Sequence, residues 1–86
     1  MARNIKDMIV GIDIGSSNIR ALGCVHKEGE KFPIVVGTYK KTLEGIERGN
    51  ITDKQEVTDA IIDAIEYLEE ETGHDTLHTL IALGAT

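Results

Sequence analysis

Ile9-Val10-Gly11-Ile12-Asp13-Ile14-Gly15-Ser16-Ser17-Asn18-Ile19-Arg20 is an apolar run that ends around an aspartate, passes through small residues, and resumes as a second apolar run with a basic residue near its start. The first run, residues 8–14, is short and nearly unbroken. It predicts a strand central in its sheet and covered on both faces. Gly15, Ser16, Ser17 and Asn18 are turn residues. So short a turn makes residues 8–14 and 19–25 a hairpin.

The turn has the parts that a nucleotide's phosphates need. A triphosphate is strongly anionic and travels with Mg²⁺, which takes oxygen ligands and keeps much of its water. Asp13, at a strand end, can hold a hydrated Mg²⁺ through its carboxylate. Gly15 lets the backbone come close to a phosphate. Successive N–H groups in such a turn form an anion-binding concavity. Ser16 and Ser17 add hydroxyl donors, and Arg20 can reach a phosphate oxygen with its guanidinium. An ordinary hairpin draws on the same residue types. What separates the two readings is the set of Asp, Gly, Ser and a basic residue at fixed offsets, on the first strand of the chain.

The remaining elements follow in order. Residues 26–31 are a charged loop, and residues 33–39 a third strand, rich in β-branched residues, with Pro33 at its tolerated first position. Residues 40–51 read as an irregular connection with Gly45 and Gly49. Asp53 then caps a helix, with Glu56 as its capping-box partner. Val57, Ala60, Ile61, Ala64, Ile65 and Leu68 make one apolar stripe, and Gly73 stops the helix. Residues 77–83 are a fourth strand, parallel to the first if the two pair. The fold class is α/β: a β-β-β-α-β chain with a mixed sheet and one long helix, the first half of a ribonuclease H-like subdomain. Fold alone does not choose a function.

The stretch from Asp13 to Arg20 resembles the first phosphate motif of the actin, Hsp70 and sugar-kinase superfamily, D-x-G-[ST]-x-x-x-[KR]. Thr42-Leu43-Glu44-Gly45-Ile46-Glu47-Arg48-Gly49-Asn50-Ile51-Thr52-Asp53 resembles the linker of the FtsA family of bacterial cell-division proteins. There a Gly-plus-aliphatic pair, a second Gly, an Ile and an Asp precede a long helix. The helix with Ala60, Ile61, Ala64 and Ile65 and the strand Leu80-Ile81-Ala82-Leu83-Gly84 continue the likeness. It implies an actin-like ATPase subdomain, of which residues 1–86 are an incomplete N-terminal part. It implies ATP and Mg²⁺ as ligands, with Asp13 facing the metal's water shell. Gly15, Ser16, Ser17 and Asn18 would wrap the phosphates, with Arg20 as the basic contact. Family members polymerise at the cytoplasmic face of the cell membrane and anchor the FtsZ ring there. Their second phosphate loop, adenosine pocket, FtsZ-binding surface and membrane anchor lie later, so this segment alone is expected to be inactive as an ATPase and to make no membrane contact.

Composition narrows the field further. The chain has 86 residues, 41% hydrophobic and 28% charged, which is room for one small core. Its net charge of −6 runs against non-specific binding to nucleic acid or anionic lipid. Acids concentrated over residues 59–71 read as a solvated helix face. Cys24 is the single cysteine; it reads as a small buried hydrophobe in a reducing cytoplasm. No signal peptide is visible, because the run over 8–14 is short and carries Asp13. The chain stops directly after an apolar strand, which reads as a cut inside a larger domain.

Three other readings compete. The PilM family of pilus-assembly proteins shares the first motif and a similar helix. A ribonuclease H-like nuclease would use Asp13 in a two-metal site, but residues 77–83 offer no further acid. A non-catalytic module would self-associate through an exposed sheet edge beside the last strand. His26, His74 and His78 read as surface or loop residues, and Tyr39 and Tyr67 as packing at the core's edge.

Overall fold

The computed structural model describes residues 5–15, 17–47 and 50–83. Its elements are β1 (Ile5–Gly15), β2 (Asn18–Val25), β3 (Ile34–Thr42), β4 (Ile46–Glu47), β5 (Asn50–Ile51), α1 (Lys54–Thr72) and β6 (His74–Leu83). The four long strands form one sheet in the order β3-β2-β1-β6. β2 pairs antiparallel with both β1 and β3. After the helix, β6 returns to lie parallel to β1, with Ile9 beside His78 and Ile14 beside Leu83. The α/β mixed sheet with one long helix is therefore the architecture that the sequence indicates.

α1 lies on one face of that sheet. Its start is set by Asp53, which has extended backbone angles and accepts the Glu56 N–H on Oδ1 at 3.0 Å. Its end is set by Gly73 in the left-handed conformation (φ 75°), whose N–H donates to the Glu69 carbonyl at 2.9 Å. Between these caps Val57, Ala60, Ala64 and Leu68 are buried, with Ile61 and Ile65 partly so. They meet Met8, Val10, Ile12 and Ile14 of β1 and Ile19, Ala21 and Val25 of β2. Tyr39 and Tyr67 close the β3 side, ring centroids 5.3 Å apart. At the other side Asp7 Oδ1 and His74 Nδ1 lie 2.7 Å apart, joining the starts of β1 and β6. His74 is thus a partnered strand residue, not the surface histidine expected. Among the described residues no helix is long and apolar enough to cross a membrane.

Several expectations need correction. β1 is central in the sheet but, among the described residues, covered on one face only. Met8, Val10, Ile12 and Ile14 are buried, while Ile9 and Asp13 between them are exposed. The unbroken apolar run concealed a period-two pattern, because Ile9 and Gly11 are apolar residues on the uncovered face. Cys24, opposite Ile9, is on that same face and only half-buried. β3 runs on to Thr42 and β6 begins at His74, both longer than the sequence pattern indicates.

The connection over residues 40–51 is not irregular throughout. Past Thr42, Leu43 and Ile46 are buried in the core, and β4 pairs with β5. Gly45 ties this segment to the helix start. Its carbonyl accepts the N–H groups of Thr52 and Asp53, at 2.7 and 3.1 Å. Its own N–H donates to the Glu56 carboxylate. Glu56 therefore reaches out to the linker, and does not close a capping box on the Asp53 N–H. Gly45 is buried, and a Cβ there would come within 2.6 Å of both Asp53 Cβ and Glu56 Oε1. Gly45→Ala is expected to lower unfolding free energy by about 1–3 kcal/mol, the usual cost of overpacking, seen as a lower urea midpoint at unchanged slope. An unchanged midpoint would show that the Gly45 latch does not depend on close approach.

Candidate phosphate-binding turn

Alternation along the strands decides which residues face away from α1. They are Gly11, Asp13 and Gly15 on β1, Asn18, Arg20 and Leu22 on β2, Thr38 and Lys40 on β3, and Leu80 and Ala82 on β6. Most of them line one broad depression, open to solvent, on the uncovered face. Asp13 and Arg20 are exposed and directly opposite each other across β1 and β2. Gly15 and Asn18 are the next facing pair toward the turn. A Cβ on Gly15 would lie 3.7 Å from Asn18 Oδ1, an ordinary van der Waals contact, so a small side chain would fit there without a clash.

The turn itself is tighter than the four residues expected, because Gly15 and Asn18 are already strand partners. Ser16 lies outside the described residues. Ser17 adopts the left-handed conformation, φ 73°. Its carbonyl accepts the Leu43 N–H at 2.8 Å, so the turn is braced from behind by the segment that leaves β3. Of the predicted site residues, Asp13, Gly15, Asn18 and Arg20 are thus gathered at one end of one face.

This arrangement can accept an anion beside Arg20 and a hydrated cation beside Asp13. Among the described residues no group of three His, Cys, Asp or Glu gathers. A Mg²⁺ here would rest on Asp13, water and the oxygens of its own ligand, a mode that suits this ion. His26, His74 and His78 have no part in such a site. Lys40, expected in the connection over residues 40–51, also stands on this face. Lys40 is the β3 partner of Arg20, and ending the third strand at Tyr39 had placed it in a loop. The β-favouring Thr38 and Tyr39, and the need for β3 to match β2 in length, were the signals available.

No protein-family model matches the chain. It is 33% identical over 66 residues to the cell division protein FtsA of Enterococcus faecalis. That match takes in 77% of this chain and 14% of the relative. The chain therefore spans about a seventh of the length of the curated relative it matches. In fold it is similar to the Aquifex aeolicus member of the Ppx/GppA protein family, with a TM-score of 0.52 and 20% identity. This covers 87% of this chain and 25% of that structure, which has an actin-like ATPase fold.

The left-handed Ser17 is open to a direct test. A non-glycine residue there costs about 1–2 kcal/mol, and glycine's extra freedom in the unfolded chain returns about 0.5–1 kcal/mol of that. Ser17→Gly is therefore expected to raise stability by about 0.5–1 kcal/mol in chemical denaturation. A loss of stability would mean that the Ser17 hydroxyl contributes more than its backbone costs.

Proposed function

We propose that this chain, a relative of the cell division protein FtsA on the actin-like ATPase fold, forms the first phosphate and Mg²⁺ wall of an ATP site. The observation that carries this reading is the placement of Asp13 opposite Arg20 on the uncovered face, with Gly15 and Asn18 as the next pair on that face toward the turn. The Asp13 carboxylate takes a water of the Mg²⁺ shell. Arg20 makes a charge-assisted bond to a phosphate oxygen. Gly15, Ser16, Ser17 and Asn18 surround the terminal phosphates with donors. In the full-length protein this wall serves a self-polymerising protein at the cytoplasmic face of the cell membrane, where it holds the FtsZ ring. A PilM-like role in pilus assembly would use the same wall; the sequence relative favours the cell-division assignment.

The test is a titration of Mg²⁺-ATP followed by amide NMR shifts. Shifts are expected from Gly15 to Arg20, lost in Arg20→Ala, with their Mg²⁺ dependence lost in Asp13→Asn. A folded chain that shows no shift at millimolar nucleotide would overturn the ATP reading.

A second reading, a non-catalytic module that self-associates, has an observation of its own. β6 has a partner on one side only among the described residues. Leu77, Leu80, Ile81 and Leu83 along it are between 49% and 66% exposed, and residues 77–83 hold neither a charge nor a proline. Such an edge is a template for another strand. Sedimentation equilibrium should then show dimer at high micromolar concentration, shifted to monomer by Leu80→Lys. A monomer throughout would rule the module reading out.

A further inference from the structure

We propose that Lys40 is a third phosphate-binding residue, completing with Asp13 and Arg20 a row across three strands that holds a di- or triphosphate. This rests on the phosphate reading above and extends it to a residue outside the turn.

The row is set by backbone register. Asp13 pairs with Arg20, and Arg20 pairs with Lys40. All three are exposed and line the same depression on the face away from α1. Residues directly opposite each other on antiparallel strands stand about 4.5–5.5 Å apart at Cα. One carboxylate and two cations therefore follow one another across the sheet, at the spacing of adjacent strands.

Two features of that row point to an anion. First, Arg20 and Lys40 are like charges directly opposite each other, an arrangement that destabilises a sheet. Asp13 adjoins Arg20 but is a strand away from Lys40, so it offsets only part of the repulsion. A phosphate oxygen between the two cations would relieve it. Second, the chain as a whole carries a net charge of −6. The strand residues gathered in the row carry one negative and two positive charges, so a polyanion meets a locally favourable field on an acidic protein. With Mg²⁺ at Asp13, a ligand with more than one phosphate can neutralise the whole row, which a lone carboxylate ligand cannot.

The neighbouring lysine supplies a matched control. Lys41 points to the other face, where its Nζ lies 4.0 Å from Asp63 Oδ2 on α1. Adjacent in sequence and equal in charge, the two lysines differ in the face they serve.

The experiment titrates Mg²⁺-tripolyphosphate into the wild-type chain, Lys40→Met, Lys41→Met and Arg20→Ala, with amide NMR shifts for affinity and thermal melts without ligand. Lys40→Met is expected to bind about fivefold more weakly, the upper range for one solvent-facing ion pair, while melting no lower than wild type. Lys41→Met should bind as wild type does. If Arg20→Ala abolishes binding but Lys40→Met leaves it unchanged, Lys40 has no part and the turn reading stands. If both lysine variants weaken binding equally, the effect is general charge and the proposal is wrong. If the wild type binds no tripolyphosphate at millimolar concentration, the phosphate reading fails and Lys40 falls with it.

Discussion

One 19-residue helix can cover only one face of a four-stranded sheet, and that coverage governs everything else in this molecule. The covered face carries the fully buried Met8, Val10 and Ile19 against Ala60, Ala64 and Leu68. Burial of Met8, Val10, Ile19 and Leu68 stabilises by about 1.5–3 kcal/mol each. The molecule is accordingly a slab about 16 Å thick, two layers and no more. Among the described residues no helix packs on the other face, and it carries charge. Were β1 covered on both faces, Asp13 would be a desolvated carboxylate in need of a permanent partner. One-sided coverage lets Asp13, Arg20 and Lys40 stand at the surface, available to a ligand.

Much of this was legible in the residues. The hairpin follows from the shortness of the Gly15–Asn18 interval, the helix from its stripe and its two caps, and the parallel return of β6 from the interposed helix. What misled was identity of character without identity of position. Ile9, Gly11 and Cys24 are apolar or nearly so, yet face outward, so a run of such residues hides its alternation. The stretch after Tyr39 failed for a different reason. Its order comes from backbone hydrogen bonds centred on Gly45, and those leave no hydrophobic period to read. The candidate site divided in the same way. Asp13 and Arg20 stood out through their spacing within one hairpin, whereas Lys40 joins them only through the pairing of a third strand.

Glu56 shows how local and tertiary demands compete for one side chain. Its position three residues after Asp53 suits a reciprocal cap within the helix. In the structure its carboxylate instead receives N–H groups from Glu44 and Gly45. The Asp53 N–H does not need the Glu56 carboxylate, because it already donates to the Gly45 carbonyl. The helix start thus exchanges its partners with the linker and fixes where the linker runs. That position matters for the turn, since the Leu43 N–H that braces Ser17 belongs to the same segment.

The parallel pairing of β1 with β6 also has a kinetic side. β1 is the first described element in the chain and β6 the last, so the neighbour that completes the centre of the sheet is made only after everything between them. The hairpin of β1 and β2 is local and can form early. The β1–β6 contact must close nearly the whole chain as a loop, and pairings of that span slow folding. During synthesis one long edge of β1, the strand that carries Asp13 of the charged row, therefore waits with its backbone groups unmatched. The edge that chaperones or neighbouring chains would encounter on the nascent protein is that of β1, which β6 then covers.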